Sequence, residues 1–306
     1  MTRRGMLSLA LSAWLAGIGS VIAAETTVTL TSVGAPLQIP ATLILPDGAG
    51  PFPAIVVMHD CSGLGPRSSG APRRWANQLV ADGYVVLMPD SFTPRDLPNG
   101  ICTESLERLR GVSGFARAGD AYGALAYLRS LPAIDGKRIG LMGASNGGFT
   151  TLASMYVPLD PKNRLRAAKQ DGFAAAVALY PTCGGPYGSW STRRAEGNRG
   201  PVVGYSGVYQ SIAPLLILIG EKDDWTPAET CRRLAESSRA ETHPVEIKVY
   251  PGAHHSFDSA APVRFVEARS NVNSPTGKGA TIGGDAAAWA DAKIQVSAFF
   301  ARYLKP

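Results

Sequence analysis

The sequence predicts an α/β protein with a mostly parallel central sheet covered by helices on both faces. Three observations carry that reading. Short, continuous apolar runs recur along the chain, among them Ala54-Ile55-Val56-Val57-Met58, Tyr84-Val85-Val86-Leu87-Met88 and Leu215-Leu216-Ile217-Leu218-Ile219. Runs of this kind suit strands buried on both faces. Segments of helical length separate them, and strands that alternate with helices build parallel sheets. The third observation is a Gly-x-Ser-x-Gly turn, Gly143-Ala144-Ser145-Asn146-Gly147, set between an apolar strand and a helix. In that setting the pattern reads as a nucleophile elbow.

Taken in order, the chain opens with a targeting segment. Arg3-Arg4 form a basic region, Met6 to Ile22 an apolar one, and Val21-Ile22-Ala23-Ala24 a small-residue exit. Residues 1–24 therefore read as a signal peptide cleaved after Ala23 or Ala24, which implies export to the periplasm or beyond. The arginine pair is compatible with twin-arginine export and equally with the general pathway. The apolar run is short and broken by Gly17, Gly19 and Ser20, so no stable membrane anchor is expected after cleavage. Residues 25–306 are expected to fold as a single domain.

Within it, Thr26–Leu30 and Ile39–Leu45 alternate as an antiparallel strand pair, and Ala54–Met58 is the first buried strand. A helix from Trp75 to Asp82 stops at Gly83, and the Tyr84–Met88 strand leads into a polar excursion from Asp90 to Gly111. A helix over Ala116–Leu131 precedes the elbow strand, Arg138–Met142, and Phe149–Tyr156 continues the elbow as a helix. Ala174–Tyr180, Leu215–Ile219 and Val245–Tyr250 are strands, and Ala228–Ser238 and Ala286–Tyr303 are helices. The stretch from Thr182 to Gln210 and the loop after Tyr250 show no period and read as irregular loops. Long loops at strand ends are where this architecture builds its sites.

A serine hydroxyl needs a base to take its proton and an acid to orient that base. Of the four histidines, His243 lies at a strand edge and His59 precedes the serine, whereas His254 and His255 follow the last strand. Asp223 and Asp224 follow the strand before it. Serine, acid, histidine is the chain order of α/β-hydrolases.

Two of these loops resemble those of the dienelactone hydrolase family. Tyr250-Pro251-Gly252-Ala253-His254-His255-Ser256-Phe257 is similar to the family's Pro-Gly-Ala-x-His-x-Phe loop, which implies His255 as the base. Gly220-x-x-Asp223-x-x-x-Pro227 is similar to its acid loop and implies Asp223. The resemblance runs over roughly residues 40 to 305. It implies an α/β-hydrolase fold, no cofactor, and a small ester or lactone as substrate. It also makes His59-Asp60-Cys61 the second oxyanion loop, with the amides of Cys61 and Asn146 as donors. Asp60 matches an acidic residue beside the nucleophile and reads equally well as a loop cap. Asp90-Ser91-Phe92-Thr93-Pro94-Arg95 is similar to a stretch that carries a substrate-binding arginine. There are two departures. Ser145 stands where the dienelactone enzymes carry cysteine, which points to general esterase chemistry. Phe257-Asp258-Ser259-Ala260 lacks their second arginine.

Trp225, with Trp190, Tyr187 and Tyr205, is a candidate for lining an acyl pocket. An acyltransferase or peptidase on the same triad, or a non-catalytic binding protein on this scaffold, are the alternative readings. The net charge of +6 comes without any Lys/Arg run, so nucleic acid is not an expected partner. No metal site is expected, because adjacent histidines in a loop point apart. The four cysteines of an exported chain are expected to pair. Cys61 and Cys102 follow neighbouring strands, as do Cys183 and Cys231, so Cys61–Cys102 and Cys183–Cys231 are the expected disulfides.

Overall fold

The computed structural model describes residues 24–305 apart from 106, 161 and 198. All of the expected signal peptide except Ala24 lies outside the described residues. Strands β1 (Ala24–Thr31) and β2 (Gln38–Leu45) form an antiparallel pair with Ala24 opposite Leu45. There follow β3 (Phe52–Met58), α1 (Ala71–Ala81), β4 (Val85–Pro89), α2 (Gly114–Arg129), β5 (Ile134–Ala144) and α3 (Asn146–Met155). A short helix α4 (Arg166–Gln170) leads to β6 (Ala175–Leu179). The hairpin β7 (Ser191–Glu196) and β8 (Arg199–Ser206) comes next, then β9 (Leu215–Gly220), α5 (Ala228–Ser237) and β10 (Val245–Tyr250). A second hairpin, β11 (Arg264–Ser270) and β12 (Lys278–Ile282), precedes the closing helix α6 (Ala286–Leu304).

Eight strands form one sheet in the order β1-β2-β4-β3-β5-β6-β9-β10. From β4 to β10 every neighbour is parallel, and at one edge β2 runs antiparallel to both β4 and β1. Strands β4, β6 and β9 are buried along their whole length, as their unbroken apolar sequences require. Helices cover both faces, and β5 records this in two glycines. A Cβ at Gly140 would meet Phe300 and Leu304 of α6, and one at Gly143 would meet α3. Positions three apart on a strand point to opposite faces.

Local chemistry sets the helix starts. Ser113 caps α2 by accepting from the Ala116 N–H, and Asp285 caps α6 by accepting from Ala288. Helix α1 begins four residues before the expected Trp75, because Ala71-Pro72 puts a proline in its first turn. The larger difference is that both expected irregular loops contain a two-stranded hairpin. β7, Ser-Thr-Arg-Arg-Ala-Glu, has no buried residue, and β11 has one, Ser270. Neither strand carries the apolar alternation that marks a half-buried strand.

Register aligns the strand ends. Met58 pairs with Gly143, Gly143 with Ala178, and Leu179 with Leu218. The loops after β3, β5, β9 and β10 therefore leave the sheet along one edge, and the candidate site lies there.

Candidate active site

Ser145 sits between β5 and α3 with φ 54° and ψ −114°. That backbone is sparsely populated for a residue with a side chain and persists only where its surroundings hold it. They do so closely. A Cβ at Gly147 would stand 2.0 Å from the Met58 carbonyl oxygen, and one at Gly143 would stand 2.2 Å from the Gly147 oxygen. The Ser145 N–H donates to the Leu179 carbonyl at 2.9 Å, which ties the turn to β6. The sequence puts glycine at the two positions where no other residue fits.

The Ser145 Oγ lies 2.9 Å from His255 Nε2, and His255 Nδ1 lies 2.7 Å from Asp223 Oδ2. All three residues are buried. An ionised carboxylate only accepts, so Nδ1 carries the imidazole proton and Nε2 is left to accept from Ser145. Asp223 takes further hydrogen bonds from the N–H groups of Trp225 (3.0 Å) and Thr226 (2.7 Å) and from Thr226 Oγ1 (2.8 Å). The two neighbouring candidates point elsewhere. His254 Nδ1 faces the Lys222 carbonyl, and Asp224 accepts from the Thr281 N–H and hydroxyl on β12.

Asn146 opens α3, so its N–H belongs to the first turn, which has no intrahelical partner. Cys61 lies on the facing loop, and both residues line the cavity at Ser145. The loop rests on His59, which is fully buried. Burial, helped by the charges of Arg117 and Arg95, holds its imidazole well below the usual range, so it is neutral. Its Nε2 accepts from the Ser91 N–H and its Nδ1 donates to the Asp60 carbonyl. Asp60 accepts from the Ser62 N–H at 2.7 Å and from the hydroxyls of Ser62 and Ser69. It therefore caps its own loop, and it also lines a cavity.

Two cavities meet at Ser145. One, of about 670 Å³, is walled by Ile101, Leu109, Phe149, Trp225 and Val272, with Arg199 at its side. The other, of about 430 Å³, is polar and carries Asp60, His255, Arg67, Arg264 and Arg269. Cys61, Cys102, Ser145 and Trp225 border both. Trp225 packs its ring 4.8 Å from that of His255 and donates from Nε1 to the Ser270 carbonyl.

Arg95, expected as a substrate contact, lines neither cavity. It forms a two-pronged pair with the buried Asp120 at 2.8 and 3.0 Å, which uses the guanidinium face an anionic ligand would need. Trp190 and Tyr187 are likewise buried away from both cavities, and Trp190 stacks on Tyr205. The cysteines pair as Cys61–Cys102 and Cys183–Cys231.

The sequence reading missed a supporting layer. Asp258, three residues beyond His255, accepts from Trp75 Nε1 at 2.6 Å and from the Tyr180 hydroxyl at 2.7 Å. Burial raises its carboxyl above the ordinary 3.8. The Tyr180 ring stands edge-on to His255 at 4.6 Å. Only Thr226 carried a usable signal, since Asp-x-x-Thr is spaced for a local side-chain-to-backbone turn.

A mostly parallel sheet whose strand ends gather a strained serine, a histidine and a buried carboxylate defines an α/β-hydrolase. The chain belongs to the dienelactone hydrolase family, whose family model matches residues 39–304. A Bradyrhizobium protein provisionally named 2-oxo-3-(5-oxofuran-2-ylidene)propanoate lactonase is 25% identical over 244 residues, covering 76% of this chain and 86% of its own length. A Methylorubrum extorquens protein with the provisional name carboxymethylenebutenolidase is 26% identical and covers 84% of both chains. Mitochondrial acyl-coenzyme A thioesterase 2 of Mus musculus is 28% identical over 87% of this chain, which spans 59% of the thioesterase. Among solved structures, a dienelactone hydrolase-like promiscuous phosphotriesterase from metagenomic libraries superposes with a TM-score of 0.60 at 17% identity, covering 92% of this chain and 99% of that one. A thermophilic esterase from Thermogutta terrifontis gives 0.58 at 16% identity, covering 93% and 94%. At these identities the structural likeness shows the fold alone.

Proposed function

We propose that the protein is an exported serine hydrolase that cleaves carboxylic esters or lactones through an acyl-enzyme. The observation that carries this reading is the unbroken Ser145–His255–Asp223 chain, 2.9 Å and 2.7 Å, at a strained elbow. Ser145 Oγ attacks the carbonyl carbon as its proton passes to His255 Nε2. Asp223 holds the ring and stabilises the imidazolium. The amides of Asn146 and Cys61 receive the oxyanion. His255 then returns the proton to the leaving oxygen, and water, deprotonated by the same imidazole, hydrolyses the acyl-serine.

The two cavities divide the substrate. His255 borders the polar cavity and not the apolar one, so the group it protonates departs on the polar side. The acyl part then occupies the apolar cavity, and the three arginines opposite favour a leaving group that bears negative charge. The relatives named as lactonase, carboxymethylenebutenolidase and acyl-coenzyme A thioesterase support acyl transfer to water as the shared chemistry. On this reading residues 1–24 are removed and residues 25–306 fold as a single α/β-hydrolase domain. Cleavage after Ala24 takes only the first residue of β1, and two disulfides suit an oxidising compartment.

A fluorophosphonate probe tests the reading directly. Labelling of the wild-type chain at Ser145, lost in Ser145→Ala, is expected. A chain that stays unlabelled while correctly folded overturns it. A series of p-nitrophenyl esters of rising acyl length, with a lactone and an acyl thioester added, then sets the substrate range.

A further inference from the structure

Arg117 has no part in the triad, yet it sits directly behind it. It lies on α2 and is fully buried, a placement that is costly for a guanidinium unless something requires it. Its hydrogen bonds go to neutral oxygens. Nη1 donates to the Asn146 side-chain Oδ1, and Nη2 donates to the His59 carbonyl at 2.9 Å. Its carbon centre lies 4.8 Å over the Phe92 ring, and Nε has no hydrogen-bond partner among the described residues. Asp120, one turn along α2, is engaged by Arg95. Burial pulls Arg117 down to about 9, which still leaves it charged at neutral pH. The fold thus keeps a weakly compensated buried cation directly behind the elbow.

The two residues it grips belong to the two halves of the candidate oxyanion hole. Asn146 contributes one N–H, and His59 lies two residues before Cys61, which contributes the other. We propose that Arg117 is a positioning residue whose planar fork fixes the spacing of the Asn146 and Cys61 amides and adds positive charge behind them. The proposal rests on Ser145 being the nucleophile and those amides the oxyanion donors. Oxyanion donors act in the transition state and little in the ground state. Loosening their spacing should therefore lower kcat and leave KM nearly unchanged.

The test starts from wild-type enzyme shown to be labelled at Ser145 by the fluorophosphonate. Failure at that step overturns the functional reading and the role of Arg117 with it, whereas labelled enzyme that fails the later steps overturns the role of Arg117 alone. Arg117→Met is expected to lower kcat about 50-fold, with KM within about twofold, a loss somewhat below that of deleting a whole donor. Arg117→Lys keeps the charge but cannot span both oxygens, so it should recover less than half of the loss on a logarithmic scale. Asn146→Ala keeps its backbone amide and cuts one tether. It should cost about tenfold in kcat, and adding it to Arg117→Met should cost little more, since coupled residues are non-additive. A trifluoromethyl ketone, which binds as the charged tetrahedral adduct, should weaken by the same factor as kcat/KM. Tyr122→Phe is the structural control. It removes a buried bond from α2 to the Ser154 carbonyl of α3 and should lower Tm alone. Should Arg117→Met fail to fold, Asn146→Ala and the ketone still decide. Unchanged kcat in folded Arg117→Met or in Asn146→Ala, or a loss confined to KM, overturns the proposal.

Discussion

The edge of the sheet that carries the candidate triad and the two hairpins beside it are built on opposite terms. At the edge, Ser145, Asp223 and His255 are buried, and each is fixed by contacts to backbone or to one another. The β7–β8 and β11–β12 hairpins form two-stranded sheets of their own, β7, β8 and β11 bury at most one residue each, and β8 and β11 present arginines to the cavities. Reactivity needs groups held to a fraction of an ångström, and recognition tolerates looser parts. The edge should therefore govern kcat and the hairpins KM.

The largest expected effect lies at the edge. His255→Ala should reduce kcat by about ten-thousandfold, as triad deletions do, and His254→Ala by about tenfold or less. Steady-state rates on a p-nitrophenyl ester decide this, and reversed losses would move the base by one residue. Asp223→Asn should follow, at about a thousandfold or more, with the fold retained by circular dichroism. Full activity there, with a dead Asp224→Asn, would transfer the acid's role.

Between edge and hairpins stand the disulfides, which close segments with separations of 41 and 48 residues. In the chain-entropy description each contributes about 4 kcal/mol. A Cys183→Ser, Cys231→Ser pair should lower the urea midpoint accordingly and leave kcat of the folded enzyme near wild type. An unchanged midpoint would remove the bond from the stability account.

On the hairpin, Arg264→Gln and Arg269→Gln should each raise KM about tenfold for an ester with a carboxylate on its leaving group, a loss of about 1.4 kcal/mol apiece. A neutral p-nitrophenyl ester should show no change. A fall in kcat instead would break the contrast, because it would make the hairpin part of the reacting geometry.

The smallest effect comes from Asp258, whose carboxyl is raised by burial. A raised folded-state value means that protonation favours the folded chain. Asp258 thus stabilises the fold below its ordinary 3.8, and that contribution is lost as pH rises through the folded value. Asp258→Asn abolishes this titration. Denaturation free energies of wild type minus variant should fall from pH 4 to pH 7, and a flat difference would show that Trp75 and Tyr180 already compensate the charge.

The same contrast governs what could be read from the sequence. The candidate triad was legible because each member follows a strand of the main sheet inside a short motif whose glycines and prolines have steric reasons. The Asp258–Trp75 bond joins residues 183 apart, and no local pattern announces it. Arg264 and Arg269 were illegible for a related reason. Which way a hairpin arginine points, whether exposed like Arg264 or half-buried like Arg269, depends on strands that carry no apolar period. Arg95 misled because its motif fixes the backbone, whereas its partner, the buried Asp120, comes from another element.

The β11–β12 hairpin is closed at its base by bonds that do not involve its strands' own pairing. Gly283 N–H donates to the His255 carbonyl, Gly284 to Ala261, and Asp285 to Phe257. The chain leaves the base-bearing loop and returns to it at a stitched neck. Within the hairpin, Ser270, Asn271, Asn273 and Thr281 bond to the loop that carries Asp223, so the strands serve the acid as well as the cavity. Only the tip beyond them, residues 274–277, is open to changes of length, where doubling a flexible loop adds only about 0.6 kcal/mol of closure cost. For protein engineering this puts length changes at the tip and leaves the strands to hold the site.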